Sequence, residues 1–271
     1  MLKNKNIYYI IIFLLTIFTL NSCNKYQKLL KSSDYELKFE KAVEYYEKQD
    51  YSRAQALLEE LRTIYRGTDK AEKINYYYAY CTYGLGEFTL ASYLFKDFIR
   101  QYPSSKYNEE ILFLAAYCHY LLSPKPSLEQ TFTEMAISEF QLFINRYPNS
   151  EKRQEAEDAI DQLQYKLETK AYNNAILFYT IGEYKAATVA LRNLLIDFPD
   201  TQYREDILFS ILKATFSLAE NSVYSKQLDR YKETINAYYT FIDNYPNSKN
   251  IKEAEKYFTN SLKFIEKSHG L

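Results

Sequence analysis

Three cysteines, Cys23, Cys81 and Cys118, and two histidines, His119 and His269, carry the widest chemical repertoire in this chain of 271 residues. A thiol becomes a nucleophile only beside a base or a positive field, and a zinc-type site needs three or four converging ligands. Neither arrangement can be read here. His119 follows Cys118 inside the apolar run AAYCHYLL, the setting of a satisfied structural histidine, and His269 lies in the last residues. Cys81 and Cys118 end the matching tetrapeptides YAYC and AAYC. Equivalent points on packed helices lie about 8–10 Å apart, farther than a disulfide spans, so two buried free thiols are expected. Gly84 and Gly86 look like a fragment of a phosphate loop but lack the residues that follow in one. No catalytic residue and no metal ligand is assigned, and the chain reads as a non-enzyme.

Cys23 stands apart because of what precedes it. Lys3 and Lys5 give a positive start, and Ile7 to Leu20 is a run of 14 residues without charge, shorter than the roughly 20 needed to span a bilayer. It ends in Leu20, Asn21, Ser22, Cys23, which resembles the bacterial lipobox. Residues 1–22 therefore read as a lipoprotein signal peptide, removed before folding, and Cys23 as the lipidated first residue of the mature chain. Covalent lipid, palmitate included, is the only non-protein group expected, and two or more acyl chains make such attachment lasting. Residues 23–33 read as the anchor and a polar tether; Asn24 to Ser33 reaches at most about 35 Å when extended.

From Cys23 onward the chain holds 32 basic and 35 acidic residues without a basic stripe, which argues against a nucleic-acid partner. Five glycines and six prolines leave few sites for β-turns. The organisation is set by a repeated octapeptide: FIRQYPSS from Phe98, FINRYPNS from Phe143, LLIDFPDT from Leu194, FIDNYPNS from Phe241, and a degenerate LRTIYRGT from Leu61. Twelve residues before the proline slot stand Ala54, Ala91, Ala136, Ala187 and Thr234, and eight before it Leu58, Phe95, Phe140, Leu191 and Tyr238. Small, large, large and aromatic at offsets of four, three and four residues make one face of an α-helix. Proline then ends that helix, and the following Ser or Thr is placed to cap the next.

These features predict an all-α tetratricopeptide-repeat solenoid of about five helical hairpins with a C-terminal capping helix. Repeats one to three should occupy 34–151. A long linking helix, repeats four and five and the cap should occupy 152–267, with a short tail at 268–271. Pro124 and Pro126 make Ser123 to Thr133 a loop inside repeat three, either a tolerated insertion or a docking point for a partner; its candidate contact residues are Pro124, Leu128, Glu129 and Gln130. A second insertion is expected over Glu220 to Gln227. Tyr76, Tyr77 and Tyr78 are consecutive, so their side chains point about 100° apart on a helix. At least one should face a groove or water, which makes the three a candidate substrate groove for extended polypeptide, unless the 30 tyrosines reflect compositional bias alone.

With the lipobox, five repeats and two stretches in place, Leu128 to Ser150 and Tyr179 to Thr201, the chain resembles the BamD family, lipoproteins of the outer-membrane β-barrel assembly machinery. The resemblance implies an outer-membrane location, lipid-anchored on the periplasmic face. It also implies a BamA-like barrel protein as partner, bound through periplasmic POTRA domains by the C-terminal repeats, and unfolded outer-membrane proteins as substrates of the N-terminal ones. Two other readings use the same fold. One is a general periplasmic repeat scaffold of envelope or cell-wall coordination. The other is a carbohydrate-binding lipoprotein, which the absence of Trp disfavours.

Overall fold

The computed structural model describes residues 25–269. The segment 1–22 expected to be a signal peptide, and Cys23, expected to be lipidated, lie outside the described residues. Helices fill the described chain and no strand occurs in it. A short helix, α1, runs over residues 25–30. Five hairpins follow: α2 (Tyr35–Glu47) with α3 (Tyr51–Ile64), α4 (Ala71–Gly84) with α5 (Phe88–Gln101), α6 (Asn108–Leu122) with α7 (Thr131–Arg146), α8 (Arg153–Thr180) with α9 (Tyr184–Asp197), and α10 (Arg204–Glu220) with α11 (Tyr224–Asn244). Helix α12 (Ile251–His269) closes the array. This is the tetratricopeptide-repeat architecture that the spacing predicts.

The slots behave as a single packing rule applied five times. Ala54, Ala91, Ala136, Ala187 and Thr234 are fully buried, as are Leu61, Phe98, Phe143, Leu194 and Phe241 one turn before the helix end. Small residues let the first helix of each pair approach; the large ones fill the space beyond, each buried side chain contributing about 1.5–3 kcal/mol. The aromatic that ends each second helix, Tyr65, Tyr102, Tyr147, Phe198 or Tyr245, donates its backbone N–H to the carbonyl four residues back at 2.8–2.9 Å. Its own carbonyl then accepts from the backbone N–H of Thr68, Ser105, Ser150, Thr201 or Ser248 at 3.0–3.2 Å.

The Ser or Thr of that turn does not cap the following helix as expected. Tyr107 and Tyr203 occupy the N-cap positions of α6 and α10 without a side-chain cap bond. The hydroxyl instead accepts from the backbone N–H two residues on, at 3.1–3.2 Å for Ser105, Ser150, Thr201 and Ser248. In three hairpins it also donates to an acid of the first helix: Ser105 to Glu72 and Ser248 to Glu205, both at 2.6 Å, and Thr201 to Glu168. A local turn signal thus becomes a tie between the two ends of one hairpin.

The chain divides into two compact units, residues up to Ser123 with Thr131–Ile160, and Pro124–Gln130 with Asp161 onward. The boundary expected near residue 152 therefore falls inside α8, which is one helix of 28 residues. In the first unit Ile74, Phe95, Phe98 and Ile111 anchor the core. In the second, Ala175, Leu191, Leu194, Leu212 and Phe241 do so, and Phe216 and Tyr231 pack on Phe264 and Tyr257 of the closing helix. The insertion expected over Glu220 to Gln227 shrinks to a link at 221–223, because α11 starts at Tyr224 and takes up the extra residues as added turns. The tail expected from residue 268 continues α12 to His269.

Candidate binding surface

Among the described residues no group of three His, Cys, Asp or Glu side chains could hold a metal ion. His119 is buried in α6, and its Nδ1 donates to Glu139 of α7 at 2.8 Å, since an ionised carboxylate can only accept. Lys96 of α5 donates to the other Glu139 oxygen at 2.8 Å. Burial pushes the Glu139 carboxyl up, but the hydrogen bonds and charges of His119 and Lys96 outweigh it and hold the group below its ordinary range. Three helices are clipped together by charge, and the geometry is that of a structural triad. Cys81 and Cys118 are buried free thiols, and burial raises both to about 12.

The three consecutive tyrosines part as helix geometry requires, but none stands free. Tyr78 is buried under the Arg62 guanidinium, 4.3 Å from its ring centre, and is therefore removed from the candidate groove. Tyr76 and Tyr77 are half-buried in a ladder of rings. Tyr77 meets Tyr46 at 4.9 Å; Tyr76 meets Tyr80 at 4.5 Å and Tyr107 at 4.4 Å. These rings come from α2, α4 and the approach to α6, so the ladder crosses the first helices of three successive hairpins. Edge-on and tilted ring pairs of this kind contribute about 0.5–1.5 kcal/mol each beyond burial. Desolvation raises the phenols of Tyr46, Tyr76, Tyr77 and Tyr80, keeping all four neutral at physiological pH.

The loop of repeat three is closed on itself. Leu128 N–H donates to the Lys125 carbonyl at 3.0 Å, and the Gln130 amide donates to the carbonyls of Lys125 and Leu128 at 2.8 and 3.0 Å. Gln130 is buried, so it braces the loop rather than offering a contact. Pro124 is half-buried, whereas Leu128 and Glu129 are exposed. Lys170 of α8 donates to the Leu128 carbonyl at 2.8 Å, which presents the Leu128 side chain outward from a fixed base.

Two features were not legible beforehand. The first is a set of exposed apolar side chains in repeat four. Leu177 and Ile181, one turn apart, are 56 % and 61 % exposed, and Val189 and Ile196, two turns apart on α9, are 51 % and 74 % exposed. Their seven- and four-residue spacings were present in the sequence, but only the structure tells the outer face from the inner. The second is that residues 25–30 do not form the expected loose tether. Tyr26, Leu29 and Leu30 pack on the first core, the Tyr26 hydroxyl donates to the Arg53 carbonyl at 3.2 Å, and Lys38, itself 1 % exposed, donates to the Leu30 carbonyl at 2.9 Å. The Arg53 guanidinium lies 5.5 and 5.7 Å from the ring centres of Tyr26 and Tyr45. A lysine five residues past the tether gave no sign of its partner.

Comparisons with known proteins follow the same lines. A family model described as YfiO, outer membrane lipoprotein, matches residues 32–229. A protein of Aquifex aeolicus (strain VF5) named as an outer membrane protein assembly factor BamD is 24 % identical over 255 residues, covering 93 % of this chain and 81 % of its own. The outer membrane protein assembly factor BamD of Pasteurella multocida (strain Pm70) is 24 % identical over 228 residues, covering 78 % of this chain and 85 % of its own. Among solved structures, the TPR2AB-domain:pHSP90 complex of yeast Sti1 superimposes with a TM-score of 0.41 at 12 % identity, over 84 % of this chain and 98 % of its own.

Proposed function

This chain belongs to the BamD (YfiO) family of outer membrane lipoproteins, and from that premise we propose that it is a non-enzymatic subunit of the outer membrane protein assembly machinery. Lipid on Cys23 holds it to the outer membrane with the repeats in the periplasm. Its work is to bind, and two surfaces are suited to different clients. The second unit docks the periplasmic POTRA region of a BamA-like barrel protein. The aromatic ladder of the first unit receives segments of unfolded barrel proteins.

The family match over most of the chain carries this reading, and the exposed apolar side chains of Leu177, Ile181, Val189 and Ile196 in the second unit support the division of labour. Several large apolar side chains left exposed in one repeat are the kind of surface that a protein partner covers. No helix among the described residues is long and apolar enough to cross a membrane, and an acyl anchor supplies the attachment that the described helices do not.

Affinity purification from detergent-solubilised membranes tests the proposal. The wild-type chain should recover a large barrel protein with periplasmic repeats, and Ile181→Glu with Ile196→Glu should abolish that recovery while leaving thermal stability unchanged. Depletion should lower outer-membrane barrel levels. Division defects with normal barrel levels would instead favour the envelope-scaffold reading.

A further inference from the structure

We infer that the N-terminal end of the first unit carries a binding site for the phosphate headgroup of an anionic phospholipid, set beside the position of the lipid anchor. The inference rests on the reading that Cys23 is acylated. A cavity of about 450 Å³ lies between α1 and α2, lined by Lys25, Lys28, Leu29, Ser32, Leu37, Lys41, Glu44 and Tyr45. Its lining combines lysines with the apolar side chains of Leu29 and Leu37, the two chemistries that meet where a headgroup joins its acyl chains. Glu44 is engaged by Lys41 at 2.5 Å and Lys48 at 2.6 Å, while no carboxylate among the described residues pairs with Lys25 or Lys28.

Charge is distributed accordingly. Residues 25–33 hold three lysines, Lys25, Lys28 and Lys31, and no acid, whereas residues 34–271 hold 29 basic and 35 acidic side chains. All the excess positive charge of the mature chain therefore sits at its anchored end. Lys25 is two residues from Cys23, at most about 7 Å of chain, so acyl chains on that cysteine would enter the bilayer next to this cavity. Because α1 is docked through Tyr26 and Lys38 rather than dangling, the lysines are presented from a fixed base. An acidic polypeptide would also meet the lysines, but it has no use for the apolar side chains of Leu29 and Leu37 beside them.

Flotation with liposomes decides the matter. Both cores lie within residues 25–269, so a chain begun at Asn24, without acyl groups, keeps the fold and isolates the headgroup contact. It should bind vesicles of phosphatidylethanolamine and phosphatidylglycerol, not phosphatidylcholine, and salt should weaken binding as it screens the charges. Replacing Lys25, Lys28 and Lys31 by Ser should lower partition on the order of tenfold or more, with unchanged circular dichroism, and replacing Lys73, Lys232 and Lys252 by Ser should not. No binding to the anionic vesicles, equal loss in both triple variants, or lysine-dependent binding to polyglutamate alone would overturn the inference. Metabolic labelling of Cys23 with palmitate is scored separately: acylation without headgroup binding removes this inference and leaves the anchor, whereas absence of acylation removes the anchor and, with that premise, the inference.

Discussion

The ammonium of Lys38 lies 2.6 Å from Oε2 of Glu60, and the same nitrogen donates to the Leu30 carbonyl. One buried side chain thereby joins α1, α2 and α3 at the end of the array. A solenoid exposes the apolar flank of its first hairpin unless something covers it, and α1 is that cover.

Lys38→Met keeps the buried stem and removes the charge. Glu60 is 44 % exposed at its side chain and can be hydrated, so the loss is set by the hydrogen bonds, about 1–3 kcal/mol. Hydrogen exchange should show residues 27–31 losing protection while α4 and α5 keep theirs. Unchanged protection at 27–31 would mean that Lys38 does not hold α1.

The turns within three hairpins share a left-handed residue: Gly86 and Gly182 at φ 78° and 85°, and Gln49 at φ 59°. Gln49 bears the steric cost of a Cβ there, so Gln49→Gly should raise stability by about 1 kcal/mol. Gly84 has a different constraint, since a Cβ would lie 2.4 Å from the Tyr51 ring. Gly84→Ala should cost about 1–3 kcal/mol as the ring is forced aside. Urea unfolding of the three proteins reads both signs.

Glu139 links stability to pH. Its folded-state carboxyl titrates below the ordinary value of 4.5, so its contribution is complete above that pH and is lost as pH falls through the folded value. Glu139→Gln should lower stability at pH 7 by about 1.5–3 kcal/mol, and the gap from wild type should close on acidification below pH 4.5. Urea titrations at several pH values measure it; a gap independent of pH would show the triad to be steric only.

Cys81 and Cys118 report on opening of the first unit. Buried and raised to about 12, they should resist maleimide at neutral pH in a chain begun at Asn24, and both should react once urea unfolds it. Rapid labelling of the native protein would contradict the packing of α4 and α6.

The repeat architecture was written in the chain because each of its rules is local in effect. A small residue, two large ones and an aromatic at fixed offsets describe one helix face, and proline ends the helix wherever the fold puts it. Ala91, Phe95 and Phe98 could be assigned to a core before any partner was known, and His119 to a structural role from its apolar neighbours. The resemblance of Leu20 to Cys23 to a lipobox is likewise a linear pattern, legible without any knowledge of packing.

What neighbours decide could not be read that way. Tyr78 turns under Arg62 while Tyr76 joins a ladder; Gln130 closes its own loop; and Lys38 reaches back to a segment that looks like a polar tether. Each outcome depends on which side chain from another helix arrives within a few ångströms, and contacts across hairpins have no fixed sequence spacing. The same holds for Ile181 and Ile196, whose apolar character is plain in the sequence but whose exposure is decided by the helices that do not cover them.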